Sequence, residues 1–197
     1  MNSHIALVLA AGFSTRYGAD KRLEGEHKPL LIQTLDHVCQ QFTTVYLVHR
    51  NQDDSLLDVI KNRQIRLTPA PADSIGLGTS LATGVKEILK TQTVENINSV
   101  SIFLADMPYI NSATIRMVLD ASTSHNIVRP VYKSDAGHPV CFGSDFLTQL
   151  SQLSGDMGAV KVIRTNAEKL HLIDVNDSGI ITDIDKPSDW ITNNVSR

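Results

Sequence analysis

The chain has 197 residues, of which 42% are hydrophobic and 20% charged, and its formal net charge is −3. That length fits one domain around one large core, and the mixture is that of a globular protein rather than a disordered or membrane-embedded chain. The mildly acidic balance excludes a broad basic surface for nucleic acid, so any anion site is local. Ile5–Ala11, the first apolar run, is too short to cross a bilayer and has no cationic lead-in of the signal-peptide kind. No membrane partner is expected, and the cytoplasm is the expected location. Cys39 and Cys141 lie far apart with no CxxC pattern, which predicts two buried thiols rather than a disulfide or a zinc site.

HIALVLA is a continuous aliphatic run of strand length, as a strand covered on both faces requires. Pro29 opens a helix on which Leu31, Leu35, Val38 and Phe42 share a face. TVYLVH is the next strand. DDSLLDVIKN, with an aspartate cap, gives a short helix that turns Leu56, Leu57 and Ile60 inward before the strand IRLTPA. A helix beginning just after Gly78 buries Leu81, Val85, Ile88 and Leu89, and NSVSIFLADMP is an aliphatic strand ended by Asp106 and Pro108. Asn111 caps a helix over SATIRMVLDAST, NIVRPVY and GHPVCFG are strands around a polar turn, and Ser144 caps DFLTQLSQL. A helix over GAVKVIRTNA, a strand at KLHLIDV and, in GIITDIDKPSDWI, a turn, a short strand and a helix starting near Pro187 complete the series. This alternation predicts βαβ units and a mostly parallel sheet with helices on both faces. From about residue 127 the extra strands predict an antiparallel edge or flap.

The segment LAAGFSTRYGADKR leaves the first strand at the edge where open α/β sheets bind ligands. Backbone N–H groups around glycines make concave anion sites, and Arg16, Lys21 and Arg22 supply opposing charge, so a polyphosphate fits; a tight turn with solvated cations is the plainer alternative. LAAGFSTRYGADKRL closely resembles the signature L-x-(A/G)-G-x-S-x-R-(M/F)-G-x-D-K of the MobA-like nucleotidyltransferases, which include the molybdenum-cofactor guanylyl- and cytidylyltransferases. The similarity continues through GLGTSLATGV, LADMPYI, GHPVCF, SGDMGAVKVI and DIDKPSDW, and is greatest to the cytidylyltransferase branch.

The resemblance implies a three-layer α/β/α fold of the nucleotide-diphospho-sugar transferase or GT-A-like type. Its doubly wound sheet is mostly parallel with a small antiparallel part, in one domain over residues 1–197. It implies that Leu9, Ala10, Ala11, Gly12 and Ser14 approach the nucleotide while Arg16 and Lys21 hold its phosphates. Asp106, at the end of its strand, matches a magnesium-binding aspartate; a single carboxylate suffices chemically, because Mg2+ takes its other ligands from phosphate and water. Asp185 matches a second ligand, with Asp183 its competitor and a helix start near Asp189 the structural alternative. Gly78 and Ser80 match a segment beside base and ribose, and Gly76 with Gly78 lets backbone pass close to a ligand. His138 and Asp156 match the acceptor site, whereas a solitary histidine and a helix-capping aspartate are the ordinary readings. Trp190 reads as core packing, and Lys28 stands between a phosphate contact and the surface.

The implied reaction is attack of an anionic acceptor oxygen on the α-phosphorus of a nucleoside triphosphate, with release of pyrophosphate. Arg16, Lys21 and the Mg2+ on Asp106 are its catalytic groups. LAAG favours CTP, the implied acceptor is a molybdopterin-type phosphate, and a molybdenum hydroxylase apoenzyme is the implied receiver of product. The rivals are another cytidylyl- or sugar-phosphate nucleotidyltransferase, a GT-A-type glycosyltransferase and a noncatalytic nucleotide-binding module. Asp106-Met107-Pro108 lacks the second aspartate a glycosyltransferase needs.

Overall fold

A computed structural model describes residues 3–12, 17–25, 27–61, 63–72 and 76–192. Strand β1 (Ser3–Leu9) sends Ile5, Leu7 and Leu9 into one core and Ala6 and Val8 into another. That period of two is what a strand sandwiched between helical layers must show. On the first face lie α3 (Leu77–Thr91), α5 (Leu147–Ser151) and α6 (Val160–Thr165), with Leu81, Val85, Leu147, Leu150 and Val162 packed inward. On the second lie α1 (Leu30–Gln41), α2 (Asp54–Ile60) and α4 (Ser112–Asp120), contributing Leu31, Leu35, Val38, Leu56, Ile60 and Ile115. The result is the expected three-layer α/β/α arrangement.

The remaining strands are β2 (Thr44–His49), β3 (Arg66–Pro69), β4 (Ile97–Leu104), β5 (Ile127–Tyr132), β6 (Asp135–Ala136), β7 (Val140–Gly143) and β8 (Leu170–Asp174). They form one sheet in the order β3-β2-β1-β4-β7-β5-β6, with β8 also paired to β5. β3, β2, β1 and β4 are parallel, β7 is antiparallel to both β4 and β5, and β8 runs parallel to β5. The antiparallel element expected at an edge therefore sits inside the sheet: β7 doubles back to fill the place beside β4. No helix among the described residues is long and apolar enough to cross a membrane.

Chain order reverses direction between β1 and β4, and at that switch point the strands end together. Leu9 is level with Val48 of β2 and with Leu104 of β4, and His49 is level with Pro69 of β3. Every loop leaving these four carboxyl ends starts at one rim, the rim where open α/β sheets bind ligands.

Several local expectations change. Cys39 is exposed because it follows Val38 on α1 and misses the buried stripe, while Cys141 is buried as expected. Helix α3 starts at Leu77, ahead of Gly78. Residues Ser178–Ile181 form a 3-10 turn instead of a strand, because Asp177 accepts from the Gly179 N–H and Ile180 is drawn into the core. Asp177 also takes the Asn111 N–H (2.9 Å) and the Thr114 hydroxyl (2.6 Å), so it satisfies the start of α4 where the Asn111 side chain was expected to.

Asp53, expected to cap α2, makes no side-chain cap and instead grips Arg22, with Nη1 to Oδ2 at 2.6 Å and Nη2 to Oδ1 at 2.8 Å. The Arg22 guanidinium, 3% exposed, also donates to the Ala10 carbonyl (2.7 Å) and to Asp20. Arg50 donates to the same Asp20 (3.0 Å) and to the Gly12 carbonyl (2.6 Å). Two arginines and two aspartates thus clamp the chain where it leaves β1. Asp53→Ala is expected to lower stability by about 3 kcal/mol, the low end for opening a buried ion pair, because Asp20 and the Ala10 carbonyl still hold the arginine. Urea unfolding of the purified variant measures it, and a loss below about 1 kcal/mol would show that the clamp does not bear on the fold.

Candidate active site

A cleft of about 840 Å³ opens along the rim. Leu9, Ala10, Ala11 and Gly12 line it from β1, Arg50–Gln52 from β2, Ala70–Ala72 from β3, and Leu104, Ala105 and Asp106 from β4. Lys21, Arg22, Gly76, Leu77, Ser80, Asp156 and Asp185 complete its wall. Of the nucleotide-contact residues inferred above, Leu9 to Gly12, Lys21 and Ser80 therefore gather on one surface. Ser14 and Arg16 lie outside the described residues.

Lys21 converges with two carboxylates. Its ammonium donates to Asp106 Oδ2 and to Asp185 Oδ1, both at 2.8 Å, and its side chain is only 13% exposed. Burial alone would depress the lysine's pKa, but the two carboxylates outweigh it and push the pKa above the ordinary value. The Asp183–Asp185 segment is docked by the Ile184 N–H on the Asp106 carbonyl (3.0 Å) and by the fully buried Ile184 side chain. The carboxylate of Asp189 then accepts from the N–H groups of Asp185 and Lys186, which fixes the turn that presents Asp185. Asp183 joins as a third carboxylate: oxygens of Asp106, Asp183 and Asp185 lie within 4.8 Å of one another. Burial and the charges of Asp185 and Asp106 raise the pKa of Asp183. Oδ1 of Asp106 is buried with no hydrogen-bond partner among the described residues. An orphaned carboxylate oxygen beside two further carboxylates is a donor set that fits a hard divalent cation.

Other residues fall differently. Gly78 does not line the cleft. Its N–H donates to the Gly155 carbonyl (2.8 Å), and a Cβ there would come within 2.9 Å of that oxygen, so its smallness serves helix-to-loop packing. Gly76 has φ +141°, open to glycine alone, and a Cβ there would meet Oδ1 of Asp156 at 2.6 Å. Asp156 therefore overhangs the cleft wall at Gly76, and the helix it was read as capping, α6, has Ala159 at its N-cap position with no side-chain cap. Arg22 touches the cleft, with its guanidinium held by Asp20, Asp53 and the Ala10 carbonyl. Lys28 is exposed and paired with Asp36 at 2.7 Å. Trp190 is half-buried, not in the core, and its Nε1–H donates to the Tyr17 hydroxyl (2.8 Å), tying the segment after Asp185 to the loop before Lys21. Arg50 escaped the sequence reading; the signal was a lone cation just past a parallel strand.

His138 lies beside the cleft, in a small cavity of about 40 Å³ walled by Leu81, Ile102, Val140 and Phe142 and sharing Leu9, Leu77 and Leu104 with the larger space. Burial, helped by the nearby charge of Arg129, lowers its pKa from 6.5 to about 4, so the imidazole is neutral at physiological pH. The unfolded chain binds this proton more readily between those values. The stability linked to His138 is thus complete above pH 6.5 and is lost as pH falls toward 4. His138→Gln is expected to flatten that part of the stability profile in urea titrations, and an unchanged slope would place the proton uptake elsewhere.

The profile of the MobA-like NTP transferase domain matches residues 6–171. A search among curated proteins returned no match. Among solved structures, Rv0371c from Mycobacterium tuberculosis H37Rv is 21% identical, with a TM-score of 0.79 over 97% of each chain. A manganese complex of Rv0371c aligns at 0.75 over the same shares, also at 21% identity. A nucleotidyl transferase from Methanothermobacter thermautotrophicus is 17% identical at 0.80, covering 98% of this chain and 96% of its own. The 4-diphosphocytidyl-2C-methyl-D-erythritol synthase of Anaerococcus prevotii is 16% identical at 0.74, with 97% and 94% covered. At these identities the solved structures speak for the nucleotide-diphospho-sugar transferase type of fold, and it is the domain profile, spanning most of the sequence, that decides kinship: the protein belongs to the MobA-like NTP transferase family and is by that membership a nucleotidyltransferase.

Proposed function

We propose that this chain, acting as one domain over residues 1–197, transfers CMP from CTP to the phosphate of a molybdopterin-type acceptor and releases pyrophosphate. The observation that carries the transfer is the meeting of Lys21, Asp106 and Asp185 in the wall of a cleft large enough for a nucleotide. The choice of CTP rests on the Ala10-Ala11-Gly12 sequence and on cytidylyltransferases among the structures of like fold. The acceptor rests on the resemblance to the cytidylyltransferase branch. A molybdenum hydroxylase apoenzyme in the cytoplasm is the receiver this reading implies.

The acceptor phosphate has a second pKa near 6, so it reaches neutral pH already ionised and needs no general base. The residues' task is to align two anions that repel each other and to stabilise charge developing on the transferred group and on pyrophosphate. Main-chain N–H groups from Ala11 and Gly12 and the hydroxyls of Ser14 and Ser80 seat the nucleotide, while Lys21 and Arg16 meet its phosphates. Asp106 and Asp185, with Asp183 beside them, would hold Mg2+, which when bound neutralises phosphate charge. Asp156 and His138 flank the side from which the acceptor enters. A neutral, half-buried imidazole suits that place as a hydrogen-bonding wall and not as a proton shuttle at neutral pH.

Pyrophosphate release with each of the four triphosphates, Mg2+ and molybdenum cofactor, against acceptor-free controls, is expected to single out CTP. Turnover only with a sugar or alcohol phosphate would transfer the reading to another cytidylyltransferase, and transfer from a nucleotide sugar without pyrophosphate would move it to a glycosyltransferase. Lys21→Gln and Asp106→Asn are each expected to lower turnover by about 100-fold or more, the scale for losing a preorganised charge at a developing anion. Near-normal turnover in either variant would remove that residue from the reaction.

A further inference from the structure

One ammonium stands where a divalent cation is needed. Lys21 lies 2.8 Å from an oxygen of Asp106 and 2.8 Å from an oxygen of Asp185, and its side chain and that of Asp106 are only 13% and 23% exposed. The same two carboxylates, with Asp183, are the donor set that fits the ion. An ammonium at hydrogen-bond distance from both oxygens blocks a small hard cation in two ways. It engages one oxygen of each carboxylate, Oδ2 of Asp106 and Oδ1 of Asp185, and it puts a like charge next to the ion at a partly desolvated site where repulsion is poorly screened. Lys21 also lines the nucleotide cleft, so a triphosphate seated there offers its ammonium a second set of anionic oxygens.

We propose that Lys21 is the internal counter-ion of the Asp106–Asp185 pair and keeps it closed to divalent cations until a triphosphate in the cleft draws the ammonium away. This rests on the metal-dependent transfer proposed above. Its consequence is an order of assembly: the protein takes up the ion together with the nucleotide rather than ahead of it. By reciprocity, whatever the nucleotide gains from the ion, the ion gains from the nucleotide. The same lysine then has two jobs, first neutralising the carboxylates and later the phosphates, and the surplus positive charge needed in catalysis arrives with the substrate.

The test is Mn2+ binding to the purified full chain without nucleotide, read by the electron paramagnetic resonance of the free ion. Wild type is expected to bind weakly, and Lys21→Gln, which keeps the length and removes the charge, to bind at least about tenfold more tightly. Lys21→Arg keeps a cation at the site and is expected to stay as weak as wild type. Adding Asp106→Asn to Lys21→Gln is expected to abolish the gain, which locates the ion on these carboxylates. Equal Mn2+ affinity in wild type and Lys21→Gln, or a gain shared by Lys21→Arg, would overturn the proposal. Thermal melts confirm that each variant is folded, and Lys21→Met replaces Lys21→Gln if the latter is not. Calorimetric binding of CTP to wild type at saturating Mg2+ separates the two readings. Failure of CTP to bind while Lys21→Gln gains Mn2+ affinity sinks the nucleotide reading alone, whereas CTP binding without that gain sinks the counter-ion proposal alone.

Discussion

The site depends on a register. Because Leu9 sits level with Val48 and Leu104 in the parallel ladders, β1, β2 and β4 end at one height, and the segments after them emerge side by side. A shift of one residue would turn Ala10 and Asp106 toward the opposite face and bury one core's side chains in the other's space. The two helical layers forbid this: Ile5, Leu7 and Leu9 already fill one core while Ala6 and Val8 fill the other. Close fit enforces the same limit, since a Cβ on Gly84 of α3 would come within 2.5 Å of Leu7. Hydrophobic packing far from the cleft thereby fixes where its charges stand.

On that rim the charges fall into two sets of different character. Arg22, Arg50, Asp20 and Asp53 neutralise one another, and their hydrogen bonds to the carbonyls of Ala10 and Gly12 hold the backbone of the loop's start. For Asp20, burial would raise the pKa, but Arg22 and Arg50 hold it below the ordinary carboxylate range, so its carboxylate stays ionised at neutral pH. Lys21 faces the other way, toward Asp106 and Asp185, beside which Asp183 brings a third carboxylate. Adjacent residues in sequence, Lys21 and Arg22, thus divide the work: one shapes the loop and the other meets the carboxylates.

Much of this was legible in the chain. Aliphatic runs and helical spacings carried the α/β class and most elements, because burial on both faces writes itself into strand composition. The spaced glycines and cations after β1 pointed to phosphate, whereas Asp106 was marked as a cation ligand by the family resemblance and not by its place at a strand end. What resisted reading were polar side chains with more than one possible partner. Asp53 and Asn111 both read as helix caps, yet Asp53 serves Arg22 and the role of Asn111 passes to Asp177. Arg22 read as a phosphate ligand and is buried against carboxylates.

The sequence by itself determined periodicity, and through it the layers, the parallel sheet and the cationic loop at its first turn, because local spacing alone decides which faces are apolar. Only the tertiary structure decided which charges meet. Lys21 and Asp185 stand 164 residues apart in the chain, and no local pattern encodes a contact made by strand order and by one buried isoleucine at position 184. The insertion of β7 beside β4 was likewise settled by the fold, since pairing between distant strands depends on which edge remains free once the parallel half is built.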